Sequence, residues 1–470
     1  MLRDESKKVG EMKPLNDERS LASSSVPMTL VRAAIVLMLL MVVTQSASAQ
    51  INCGAGSSAP SASLACLVQV AQTPSGLSPA SPLQPKASGL VQDSLNFLSS
   101  AIGAEVSQIP LASPASGIIY TKNLTTQLPE RLDQSFGPIL TQRAQTIGKH
   151  NRYFAVTYQY FLLQDIDSLA LKNLPSVIYL NSPNNSGSGS PDVAGISNNV
   201  LQLKIHQFVG YLTYGLTNRI DISVAVPLLR VDLRDTFSES FAVSSGSSYP
   251  GHAAVSGSRA GEATGVGDVV LATKVNLWKL RRAEKDHGGI SLGVEVRLPS
   301  GDSHNYLGSG AFGSKPFATF TYAGHFSPHF NVGYQINGKT DLITVPSFAT
   351  GTLVKGTLPN RLIYSGGIDY ALLKRLTINV DAIAQRVFDA PRAKLLSPPP
   401  PIQVFPNFTL SQSQSVVAPF TASYTQADAA GGLKWNPFKG LLVSGNISVK
   451  LNQAGLRSRL VPLMGASYTF

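Results

Sequence analysis

The sequence predicts an all-β fold, a transmembrane antiparallel β-barrel of about twelve strands, and three observations predict it. Only 14% of the 470 residues are charged, against about 25% in soluble domains, while the apolar share is an ordinary 43%. No apolar run reaches the ~20 residues that a membrane-crossing helix requires; apolar residues recur instead in short period-two stretches. The connections between those stretches are by turns short and long, as in a barrel with hairpin turns on one rim and loops on the other.

The longest apolar run, Ala33 to Val43, follows Arg32 and precedes Ala47-Ser48-Ala49, which reads as a secretory signal peptide cleaved before Gln50. Residues 1–49 are therefore set aside from the fold, and Met28 would begin a leader of ordinary length. In the oxidising compartment that such a leader implies, Cys53 and Cys66 are able to close one disulfide. One cysteine pair offers no metal-ligand spacing, so neither a metal nor a cofactor is expected.

Residues 50–151 read as a Ser/Ala/Pro-rich periplasmic segment. Within it Val91, Leu95, Leu98, Ile102, Val106 and Ile109 recur at helical spacing, which predicts one amphipathic helix over 91–109 that stops before Pro110. Its stripe needs a surface, which a barrel interior, a periplasmic rim, a partner or the rest of this chain would supply.

From 152 to 470 the period is two, and this stretch is the predicted barrel. Phe154, Val156, Tyr158, Tyr160 and Leu162 form one apolar row, and Leu201, Leu203, Ile205, Val209 and Tyr211 another. The rows continue through Ile222, Val224 and Leu228, through Leu271 and Leu277, and through Leu292, Val294 and Val296. Phe330, Val332 and Ile336, then Ile378 and Val380, then Val443, Ile447 and Val449 complete the regular strands. Less regular segments near 315–325, 361–371, 420–435 and 458–470 bring the number to twelve. The connections near 212–219, 279–289, 325–328, 371–375 and 436–440 are short, and those near 165–197, 231–267, 301–314, 339–360 and 387–419 long.

With every apolar row against lipid, Tyr158, Tyr160, Trp278, Tyr322, Tyr364, Trp435 and Tyr468 would supply aromatic girdles. The opposite rows then line the lumen, and Lys204, His206, Glu295, Arg297, Gln335 and Asp381 are the candidate solute contacts, with Asn331, Asn379, Asn446 and Lys450 beside them. The chain closes on Phe470 after an alternating stretch, which looks like the terminal signal read by the barrel-assembly machinery. These features place the chain in the bacterial outer membrane with both termini periplasmic, in contact with outer-membrane lipid and lipopolysaccharide. The net charge of +11 is spread thinly, without a basic run beside aromatics, so nucleic acid is not an expected partner.

Several stretches resemble the MetA-pathway of phenol degradation family of transport-related outer-membrane barrels. They are Phe136-Gly137-Pro138 with Arg143-Ala144 and Gly148; Tyr214 through Arg219; Gly265-Val266-Gly267-Asp268-Val269; and Glu295 through Asp302 leading to Leu307-Gly308-Ser309-Gly310. The likeness continues through Lys315-Pro316 to Asn331 through Gln335 and Asn337-Gly338. It implies transport of small molecules across the outer membrane, with aromatic or hydrophobic compounds as the class, and it carries over no catalytic residues.

Gly265-Val266-Gly267-Asp268 is not a phosphate cradle, because a strand follows it rather than a helix amino terminus; it is better read as a bend into the barrel wall. Leu298 through Asp302 is turn chemistry. The seven histidines leave a lipid hydrolase as a minor reading, and no enzyme is expected. The sequence therefore reads as a passive channel for small molecules, with the 91–109 helix as its gate. The alternative is a structural or adhesion barrel with a sealed lumen and ligand-binding external loops.

Overall fold

The computed structural model describes residues 64–65, 91–93, 96–109, 111, 120–122, 129–131, 135–180, 193–243, 251–282, 285–346, 353–396, 402–404, 408–410, 415–438 and 440–470. The predicted leader, Cys53, Cys66 and Leu95 lie outside these residues.

Twelve antiparallel strands close into one barrel. They are β1 (Arg152–Ile166), β2 (Val193–Gly215), β3 (Ile220–Val243), β4 in two pieces, β4a (Gly251–Val266) and β4b (Val270–Arg282), β5 (Lys285–Arg297) and β6 (Gly313–Tyr322). Then follow β7 (Phe326–Asn337), β8 (Arg361–Leu373), β9 (Leu376–Leu396), β10 (Val416–Trp435), β11 (Leu441–Lys450) and β12, also in two pieces, β12a (Leu456–Ser458) and β12b (Leu460–Thr469). Each strand pairs with its successor, and β12b returns to β1 in the register Met464↔Tyr158, so the barrel closes and the paired backbone groups need no partner from lipid.

Alternation decides which way each side chain points. Phe154, Ile222, Leu228, Leu271, Leu292, Phe330, Val380 and Ile447 face outward and exposed, and Trp278, Tyr322, Trp435 and Tyr468 stand on the same outer surface. That is the apolar exterior of a membrane-spanning barrel with its aromatic rims.

The strands at the loop rim are longer than the alternation suggests. Of the predicted long connection 231–267, residues up to Val243 and from Gly251 onward are one continuous β3–β4a hairpin, registered from Leu228↔Val266 to Val243↔Gly251. The sequence hides it because the polarity of the rows inverts after Leu228: Leu229, Val231 and Leu233 point inward, and Arg230 and Arg234 outward. β4 is broken where residues 267–269 stand opposite Val226 and Pro227, an extra residue that bulges the wall.

The interior is filled by the chain's own amino-terminal part. Helix α1 (Asn96–Val106) buries Leu98, Ala101, Ile102 and Val106 in one core with Leu163, Leu203, Ile205, Val231, Leu233 and Leu342. The predicted stripe is therefore correct from Leu98 to Val106, but the helix does not begin at 91, because Val91–Asp93 is a strand paired with Ile178, Tyr179 and Leu180. Nearer the terminal rim, residues 135–147 run in an extended path inside the ring, with Ile139 and Ile147 packed on Tyr153, Val209, Tyr211 and Leu463. Thus α1 and 135–147, read from sequence as a periplasmic segment ahead of the barrel, are folded into it. Their apolar groups pack there on inward-facing side chains of the wall.

Candidate functional site

The site begins with how the wall grips residues 135–147. Lys274 on β4b donates to the carbonyls of Arg143 (3.0 Å) and Gln145 (2.8 Å), and Lys434 on β10 to those of Phe136 (3.3 Å) and Pro138 (2.5 Å). Thr377 accepts the Phe136 N–H, Thr321 that of Ala144, and Asp221 that of Ile147. Asn276 and Ser291 both donate to the Ala144 carbonyl. An extended segment cannot satisfy its own backbone, so a buried one requires this many wall side chains. Gly137 has φ +73°, and a Cβ there would lie 1.9 Å from the Arg143 guanidinium, so the Phe136-Gly137-Pro138 turn and Arg143 require one another.

A second junction ties the break in β4 to the β5–β6 connection. The Asp268 carboxylate accepts from the backbone N–H of Gly301 (3.0 Å) and Ser309 (2.8 Å) and from the Ser309 hydroxyl, and it faces Arg297 at 3.6 Å. A Cβ on Gly308 would stand 2.5 Å from Asp268 and 2.6 Å from the Gly301 Cα, which explains the glycines of both turns. The three motif stretches around Gly267, Ser300 and Ser309 are thus one interlocked patch of wall.

Between α1 and residues 135–147 lies a cavity of about 320 Å³. Its apolar surface comes from Val106, Ile109, Leu140, Phe161, Leu229 and Phe317, and its polar surface from charged groups on the wall and on α1 together with neutral amides such as Gln142, Gln159, Asn331 and Gln335. Those charges come in pairs: Lys315 with Glu295 at 2.6 Å, Arg457 with Asp428 at 2.6 Å, Arg297 with Asp268 at 3.6 Å, and Arg361 with Glu105 of α1 at 3.6 Å. Arg361 also donates to the Ala104 carbonyl (2.8 Å), and Asn337 to Gln108 (3.0 Å) just past the helix, so α1 and the residues that follow it are hydrogen-bonded to the wall beside the cavity. Gln142 closes the lower side, donating to Glu295 at 2.8 Å.

Of the residues singled out from sequence, Glu295, Arg297 and Gln335 line this cavity. Asp381 faces inward but is sealed from it, held 2.6 Å from His329 with Thr141 donating to the same oxygen. Lys204 and His206 do not face the interior; they stand on the outward row of β2 with Phe208, and His206 lies 2.9 Å from the Tyr158 hydroxyl. The reason is local. In this half of β2 the apolar row Leu201, Leu203 and Ile205 packs on α1 rather than on lipid, so the polar row is turned outward. Asp268, Lys315, Arg361, Asp428 and Arg457 were not among the candidates. Arg361 and Asp428 sit in strands rich in Gly, Ala and Ser, whose weak alternation gives no facing.

Residues 181–376 match the model of the family described as "Putative MetA-pathway of phenol degradation". The match includes the Asp268 junction and the residues from Tyr214 to Asn337 that carry the resemblance. No curated protein sequence matches the chain. Among solved structures, an outer membrane channel from Pseudomonas putida F1 is similar, with 11% identity, TM-score 0.37, and coverage of 70% of this chain and 99% of that one. The CymD monoaromatic hydrocarbon channel shares 9% identity at TM-score 0.31, covering 69% and 89% of the two chains. A Pseudomonas aeruginosa FadL homologue shares 8% at TM-score 0.28, covering 68% and 89%.

Proposed function

We propose that this chain is a bacterial outer-membrane channel that passes small uncharged molecules passively, with its short turns and both termini on the periplasmic side. The observation that carries the reading is the interior cavity. Its charges are paired with one another and the rest of its lining is apolar or neutral and polar, so a net charge on the solute finds no unpaired counter-charge there and loses its hydration. A cavity of about 150 Å³ accommodates a benzene-sized molecule, so about 320 Å³ suits a compound of one or two rings. A polar end on such a molecule would find Gln335 or Asn331 on the wall, or Gln142 on the inner segment. The family match supports the same class of compound.

Helix α1 and residues 135–147 occupy the path between the rims, which also suits the sealed structural barrel. Swelling of liposomes loaded with the purified full chain separates the two. The channel reading expects uncharged monocyclic phenols or alcohols to enter well above the protein-free rate and faster than singly charged analogues of equal size. Entry of every solute at the protein-free rate would establish the sealed barrel.

A further inference from the structure

Lys204 and His206, displaced from the lumen by the structure, belong to a charged patch on the outer wall. On β2 the outward row passes from Phe208 to His206, Lys204 and Gln202, and on β3 from Leu228 to Arg230, Asp232 and Arg234. The registers His206↔Arg230, Lys204↔Asp232 and Gln202↔Arg234 put the two changes from apolar to charged at one height. Lys204 is therefore directly opposite Asp232 and diagonal to both Arg230 and Arg234, positions about 7–8 Å apart across a sheet. Arg230 is held at 2.6 Å by Glu262 and at 3.3 Å by Asp232. Lys204 and Arg234 are exposed and have no ion-pair partner among the described residues.

We propose that this patch binds the phosphate of an outer-leaflet lipopolysaccharide. The inference rests on the reading that the loop rim faces the cell exterior. Two unengaged cations, a third fixed just below them, and an apolar row immediately beneath form a site whose occupant must present an anion at the top of the lipid layer with acyl chains under it. A phosphorylated glycolipid of the outer leaflet has that form, whereas a soluble phosphate meets only the upper half. Tyr158, Tyr160 and Phe208, clustered with His206 at centroid distances from 4.7 to 6.2 Å, lie where the sugar and the first acyl carbons would rest. Asp232 and Glu262 orient Arg230 and also keep the patch from being a generic anion trap.

The test uses the purified full chain in detergent, with lipopolysaccharide, phosphatidylglycerol micelles and inorganic phosphate as separate probes, read by microscale thermophoresis. The expected result is tightest binding of lipopolysaccharide, weakened about tenfold or more in Lys204→Glu/Arg234→Glu, since each basic residue contributes appreciably to binding an anionic lipid surface. The charge-neutral pair Lys204→Gln/Arg234→Gln should fall between. Retained β-sheet circular dichroism and heat-dependent gel mobility confirm that each variant is a folded barrel. Lipopolysaccharide binding unchanged by charge reversal overturns the site but leaves the orientation intact. Preference for phosphatidylglycerol overturns the site and the orientation together, and full competition by inorganic phosphate overturns the lipid as occupant.

Discussion

At the scale of single residues, residues 135–147 are held by a few buried polar side chains of the wall that engage their backbone. Lys274 is 4% exposed and is engaged by two carbonyls and, at 3.8 Å, by Asp221. Lys274→Met keeps the volume but leaves those three acceptors short of a donor, a change that costs about 3–5 kcal/mol when one partner of a buried pair is removed. Urea unfolding of the purified barrel should show that loss, together with faster amide exchange at 143–147. A variant as stable as the parent would mean that these residues are not gripped. Sequence alone reveals Lys274 as an inward residue but not what it holds, because the carbonyls it meets lie about 130 positions away. Lys204 and His206 were misplaced for a different reason: alternation gives two faces but not which face meets lipid, and above the membrane the apolar face turns to the core.

Among the elements, α1 lines the cavity, and the channel reading makes its position the control on passage. Glu105, with its side chain 11% exposed, faces Arg361 and accepts from Gln426 at 3.2 Å, with Arg457 and Asp167 also nearby. Burial raises its carboxyl above the ordinary carboxylate range, against the opposing pull of Arg361 and the Gln426 hydrogen bond. A raised value in the docked state means that docking is strongest below the ordinary value of about 4.3 and weakens as pH rises through the raised one. Conductance should therefore fall on acidification from about pH 7 to about pH 4, and Glu105→Gln should flatten that dependence. Conductance that rises on acidification in the parent would reverse the sign and refute the role of Glu105. The helix itself was legible from Leu98, Ile102 and Val106, since a 3.6-residue stripe stands out in a period-two chain. Its location was not, because a stripe shows that a surface is needed and not where it lies.

For the whole molecule, strand number and closure were readable because lipid imposes apolar rows on every spanning strand, and the loop-rim extensions were less so because outside lipid that constraint ends. Leu292, at the outward centre of β5, tests the membrane band. Leu292→Arg should cost about 2–4 kcal/mol in refolding into bilayers, whereas Arg234→Leu above the band should not destabilise the barrel comparably. Equal effects at both positions would displace the band. Because α1 occupies the path between the rims, the channel reading requires it to move for passage, and a reversible lock tests that most directly. A Cβ placed on Gly103 lies 3.2 Å from the Leu342 Cβ, near the 3.5–4.5 Å of a disulfide, so Gly103→Cys/Leu342→Cys in a background of Cys53→Ser and Cys66→Ser should cross-link. In planar bilayers the oxidised lock should be silent and regain the parent conductance on adding reductant, and equal conductance in both states would contradict the account.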